Sequence, residues 1–125
     1  MYRFIILIIA ASFFTMCAST PKFSARDSDN QKQFVIKKGD LFKVELEAQL
    51  STGYGWQISS ISGAEQYGQT KVDTAQSDMT GGRDMQYMIF RATNTGNGYI
   101  ELKYVQPWKA TDTPLKYYKI YITVQ

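Results

Sequence analysis

The chain has 125 residues, enough for one domain. Its 14 Lys and Arg against 11 Asp and Glu give a net charge of +3, too slight to indicate a nucleic-acid surface. It has no histidine and one cysteine, Cys17, so no internal disulfide can form, and the usual Ser-His and Cys-His nucleophile pairs are excluded.

The N-terminus has the layout of an export signal. Arg3 supplies a positive start, Phe4 to Phe14 is apolar apart from Ser12, and small residues follow. The apolar run is too short to span a bilayer, which takes about 20 residues. Cys17 lies just beyond it, which in a bacterium points to cleavage before Cys17 and lipid attachment to its sulfur. Phe14-Thr15-Met16 departs from the small-residue pattern of such lipoprotein signals. Ordinary cleavage after Ser19, with Cys17 and Ser19 at the −3 and −1 positions, is the other reading. Both readings take residues 1–19 as a signal and export the protein to the periplasm or cell surface, with or without a lipid anchor.

Residues 20–32 are polar, with Pro21, several serines and no hydrophobic period. They read as a flexible tether that would hold a domain about 20 Å from an anchor. From residue 33 to the end at 125 the pattern is β. Phe42, Val44, Leu46 and Ala48 alternate with Lys43, Glu45, Glu47 and Gln49, the period of a half-buried strand. Met88, Phe90 and Ala92 repeat it, as do Ile100, Leu102 and Tyr104, and then Tyr118, Ile120, Ile122 and Val124. Turn residues at Lys38-Gly39-Asp40 and Asn94 to Gly98 separate the runs. About seven to eight short strands predict an all-β, immunoglobulin-like sandwich, with a small barrel as the alternative.

Catalytic chemistry has little to stand on. Glu45 and Glu47 share a strand face that alternation turns toward solvent, a poor setting for a glycosidase pair. Gly81-Gly82-Arg83 lacks the strand-to-helix setting of a phosphate loop. No enzyme activity, cofactor or metal is expected.

Three segments between strands stand out. Gln49-Leu50-Ser51-Thr52-Gly53-Tyr54-Gly55-Trp56 is followed by Thr80-Gly81-Gly82-Arg83 and by Tyr104-Val105-Gln106-Pro107-Trp108-Lys109. Gly53 permits a tight turn, and Ser51 and Thr52 are small and carry hydroxyls. Gly81 and Gly82 would let a loop lie flat on a partner. Pro107 limits the ordering cost of binding, and Trp108 offers a large apolar anchor. Trp56 and Tyr104 fit a core role better than a contact role; Tyr54 is divided between core and loop support. A Trp beside a Pro favours a strand end or loop, so Trp108 reads as a contact residue.

These segments resemble the signatures of the chagasin-type inhibitors of papain-like cysteine peptidases. The first is similar to Asn-Pro-Thr-Thr-Gly-Tyr-x-Trp, with Gln49 and Leu50 in place of Asn and Pro. The second is similar to the family's glycine-rich loop. The third is similar to Tyr-x-Arg-Pro-Trp-Glu, with Gln106 for Arg and Lys109 for Glu. The resemblance implies a monomeric, reversible competitive inhibitor whose partner is a papain-like cysteine peptidase. Ser51, Thr52, Gly53 and Tyr54 would enter its cleft, while Gly81, Gly82, Pro107 and Trp108 grip the sides. The departures imply a looser first loop at Leu50, a lost positive charge at Gln106 and an inverted charge at Lys109, and with them a target unlike that of the best-matching members, or weaker inhibition. The rival reading is a surface-exposed sandwich lipoprotein that binds another protein, or carbohydrate through Trp108 and its tyrosines.

Overall fold

A computed structural model of the chain describes residues 20–73, 84–109 and 113–125. The export signal and Cys17 therefore lie outside the described residues, as do Gly81 and Gly82.

Nine strands are present among the described residues: β1 (Ser24–Ala25), β2 (Gln33–Ile36), β3 (Leu41–Ala48), β4 (Gly55–Ser62), β5 (Ala64–Gln66), β6 (Lys71–Asp73), β7 (Asp84–Ala92), β8 (Gly96–Val105) and β9 (Lys116–Val124). They form two mixed sheets. One runs β1-β3-β7-β5, with β6 also paired to β7; the other runs β2-β9-β8-β4. The β1–β3 and β2–β9 pairs are parallel and all others antiparallel. The count exceeds the expected seven to eight because β1, β5 and β6 are only two or three residues long, below the reach of any alternation signal.

Each alternating run buries the residues it should. Phe42 lies opposite Phe90 and Val44 opposite Met88 in one sheet, while Ile100 faces Ile120 and Leu102 faces Tyr118 in the other. All eight are buried, and they belong to one hydrophobic cluster built from both sheets. Burying one face of each sheet fixes the register, because a slip of one residue would turn every apolar side chain to water.

The polar segment 20–32 is not a tether in this structure, which corrects the sequence reading. Ser24–Ala25 pairs in parallel with Lys43 and Val44 on β3, and Ala25 is completely buried. Phe23 stacks on Phe34 at 4.4 Å and on Phe42 at 5.1 Å between ring centres. A short 3-10 turn at Asp27–Asp29 follows, and the Asp27 carboxylate accepts from the Glu47 N–H at 3.2 Å. Two apolar side chains in a polar stretch give no period, yet they are enough to fasten it across the open side of β3.

Two buried polar side chains join the sheets. Gln86 on β7 reaches across to β4: its Oε1 accepts from the Trp56 N–H and its Nε2 donates to the Trp56 carbonyl, each at 2.8 Å. One amide thus does for Trp56 what a neighbouring strand would do on the free edge of β4. Tyr118 on β9 donates from its hydroxyl to the Arg26 carbonyl at 2.9 Å. Burial pushes its phenol well above the usual tyrosine range, and the nearby Asp29 and Asp27 charges add to the effect.

Candidate functional site

The first loop leaves β3 at Ala48 and makes one 3-10 turn over Leu50–Thr52. The Thr52 and Gly53 N–H groups close it by donating to the Gln49 and Leu50 carbonyls at 3.0 and 2.9 Å. Gly53 then takes a left-handed conformation, φ 83°, which reverses the chain into β4. The base of the loop is anchored, since the Gln49 N–H donates to the hydroxyl of buried Tyr104 at 2.8 Å. Tyr54 is half-buried and stacks on Tyr104, with ring centres 5.4 Å apart, so it supports the loop from below.

Ser51 and Thr52 form the exposed tip. The Thr52 hydroxyl turns inward, donating to the Gln49 carbonyl and accepting from the Tyr54 N–H at 3.4 Å. Of the two tip hydroxyls, that of Ser51 has no partner among the described residues. Leu50 stands where the motif that this loop resembles has a proline. Its side chain packs against the core cluster and closes on the α-carbon of Gly55.

The third loop, Gln106 to Lys109, is a turn closed by the Lys109 N–H donating to the Gln106 carbonyl at 3.0 Å. Pro107 and Trp108 stand at its exposed crest, Trp108 at 67% accessibility. This turn meets the first loop at two points. Gln106 Nε2 donates to the Thr52 carbonyl at 3.0 Å. The Trp108 ring covers Gly53: a β-carbon there would lie 1.9 Å from Trp108 Cη2. Ser51, Thr52, Gly53, Tyr54, Pro107 and Trp108, single features in the sequence, therefore come together at one end of the sandwich.

Gly81 and Gly82, the second predicted loop, fall in the stretch 74–83 outside the described residues. The residues on either side of that stretch lie at the same end. Asp84 is opposite Ala48, the last residue of β3 before the first loop, and Asp73 is opposite Met85.

Trp56 is core, as its place in the strand implied. It is buried, tilted against Tyr104 at 5.0 Å, and donates through Nε1 to the Glu47 carbonyl at 3.0 Å. Sequence reasoning missed Gln106, which it took as a lost charge, and Gln86, which it did not single out. Gln86 had a visible signal, since a polar residue stands two before Met88 on the inward face of the alternation.

Several tyrosine faces are already occupied by the chain's own cations. Lys43 lies over Tyr87, Arg91 over Tyr67, and Lys119 over both Tyr99 and Tyr121, all within 5.0 Å of the ring centre. These rings are poorly placed to stack on a sugar. No group of three or more metal-ligating side chains occurs among the described residues.

The geometry can be set beside known proteins. Amoebiasin-1 of Entamoeba histolytica is 27% identical over 85 residues, which are 68% of this chain and 83% of that protein. The cysteine protease inhibitor EhICP2 of the same organism superposes with a TM-score of 0.70 at 21% identity, covering 85% of this chain and all of that one. PbICP-C, solved in complex with falcipain-2, superposes with a TM-score of 0.55 at 18% identity, over 86% of this chain and 93% of that one. Residues 35–122 match the family described as chagasin family peptidase inhibitor I42. That match spans well over half of the chain and includes both described loops, so this chain belongs to the chagasin family of peptidase inhibitors and is not an enzyme.

Proposed function

We propose that this protein is a reversible, competitive inhibitor of papain-like cysteine peptidases that blocks the active-site cleft with its loop end. The observation that carries this reading is the joining of the first and third loops. Gln106 is bonded to Thr52 and Trp108 is seated on Gly53, so a small polar tip and a large apolar anchor form one convex edge. Such an edge is suited to enter a cleft and to exclude substrate without reacting. No scissile bond is offered in a substrate-like strand, because the tip is a 3-10 turn followed by a left-handed glycine. The loops are held by hydrogen bonds and stacking before any partner arrives, which keeps the ordering cost of association low.

In this reading Ser51, Thr52 and Gly53 occupy the middle of the cleft beside the peptidase's catalytic cysteine. Pro107 and Trp108 hold one wall, and the segment bearing Gly81 and Gly82 holds the other. The N-terminal apolar segment acts as an export signal, cleaved before a lipid-bearing Cys17 where the protein is anchored and after Ser19 where it is not. The folded segment beginning near Lys22 leaves few residues between such an anchor and the domain.

The test is inhibition of a panel of papain-like peptidases by the purified domain with a small fluorogenic substrate. Inhibition that rises in KM and leaves kcat unchanged supports the reading. Absence of inhibition throughout the panel at high micromolar concentration rejects it.

A further inference from the structure

The first and third loops are joined by a side chain that does not reach their exposed crest. Gln106 opens the third-loop turn, and its Nε2 donates to the Thr52 carbonyl at 3.0 Å. Its other amide atom, Oε1, is buried and has no hydrogen-bond partner among the described residues. Turning the amide over would set Oε1 against the Thr52 carbonyl, two acceptors face to face, so the Nε2 bond fixes the orientation. A buried acceptor without a donor is unfavourable in itself. The bond to Thr52 is thus the one hydrogen bond that the Gln106 amide makes among the described residues.

The same pair of backbone residues is held from a second direction. Trp108, two residues after Gln106, covers the α-carbon of Gly53, the residue after Thr52. Thr52 is also fixed from within its own loop, through its N–H and its hydroxyl, both directed at the Gln49 carbonyl. Two residues of the third loop thus grip two consecutive residues of the first. Where the motif it resembles has an arginine, this chain has a neutral amide turned inward onto its own backbone.

Resting on the inhibitory reading above, we propose that Gln106 is a positioning residue: it sets the spacing between the Ser51–Thr52 tip and Trp108 before a peptidase is met. The side chain need not touch the peptidase. Without the strut the two loops fluctuate separately, and only the fraction of molecules in the paired arrangement is competent to bind. The apparent dissociation constant rises as that fraction falls, and the association rate falls with it.

The test compares the intact domain with Gln106→Met, Gln106→Glu and Gln106→Arg. Association rates are measured on a papain-like peptidase that the wild type inhibits, and amide exchange at Thr52, Gly53 and Tyr54 is measured in the free protein. Gln106→Met removes the donor and the orphaned acceptor together at similar volume, so melting stays near the wild-type temperature. Its association slows by about tenfold, the loss of one hydrogen bond's worth of ordering, and the three amides exchange faster. Gln106→Glu has no donor when ionised but regains an O–H donor when protonated. Its deficit relative to wild type, taken at each pH, therefore shrinks on acidification. Gln106→Arg keeps an N–H for the Thr52 carbonyl and recovers most of the rate. Wild-type association by the Met variant, with unchanged amide exchange, overturns the strut and leaves the inhibitory reading standing. A Glu variant whose deficit is the same at every pH overturns it too, and serves if the Met variant does not fold. Failure of the wild type to inhibit any peptidase rejects the inhibitory reading and with it the binding role. In that event the amide-exchange arm still decides whether Gln106 orders the first loop.

Discussion

The indole of Trp108 covers the α-carbon of Gly53 so closely that a methyl group there would lie 1.9 Å from Cη2 of the ring. Gly53 is thus required twice, once for its left-handed φ of 83° and once to leave room for the indole. Gly53→Ala should cost about 1–2 kcal/mol of stability from the backbone alone. It should also push Trp108 off the first loop and weaken inhibition by about tenfold or more. Denaturant unfolding and inhibition constants measured on the same samples check both effects. A variant that inhibits like the wild type removes the Gly53–Trp108 contact from the account.

Trp108→Ala separates binding from folding. The side chain is 67% exposed, so its loss should change stability by less than about 0.5 kcal/mol. As an aromatic anchor at an interface it should contribute about 2 kcal/mol or more to binding, a loss of roughly thirtyfold in affinity. Titration against one inhibited peptidase decides the point.

Gln86→Leu should do the reverse. It leaves the N–H and carbonyl of buried Trp56 without the partners they now have at 2.8 Å. The expected loss is about 2–4 kcal/mol of unfolding free energy, one desolvation penalty for each group. Urea denaturation gives the value directly, and a loss below 1 kcal/mol would show that water or another group replaces the amide.

Tyr118 makes stability depend on alkaline pH. Burial raises its phenol above the value near 10 expected in the unfolded chain, so above that pH the native state holds a proton that the unfolded state releases. Its contribution is complete below about pH 10 and is lost progressively as pH rises beyond it. Tyr118→Phe should lose about 1 kcal/mol at neutral pH, with the hydrogen bond to Arg26, and decline less steeply in alkali. Parallel slopes for the two proteins between neutral pH and strong alkali would contradict this assignment.

Much of the fold was legible because one-sided burial writes a period of two into each long strand. Phe42 to Ala48, Met88 to Ala92, Ile100 to Tyr104 and Tyr118 to Val124 all lie where alternation put them. The segment 20–32 was misread because Phe23 and Ala25 fasten it through contacts with β2 and β3, and two residues make no period. At the loop end, the glycine turn and the exposed Trp were legible as residue types. Their meeting was not, because it joins residues more than fifty positions apart through a sheet register that local sequence does not encode. Gln106 illustrates the limit. Judged by the charge it lacks it was a loss; judged by the Thr52 carbonyl it reaches, it is a strut.

In the proposed complex the loop end occupies a peptidase's cleft beside its catalytic cysteine. Protection of that cysteine from a small thiol alkylator tests this most directly. A papain-like peptidase saturated with the domain should be alkylated far more slowly than the free enzyme, and Trp108→Ala should restore the rate in proportion to its lost affinity. Inhibition of substrate turnover with the cysteine still alkylated at the free rate would contradict the account, because the blockade would then lie elsewhere.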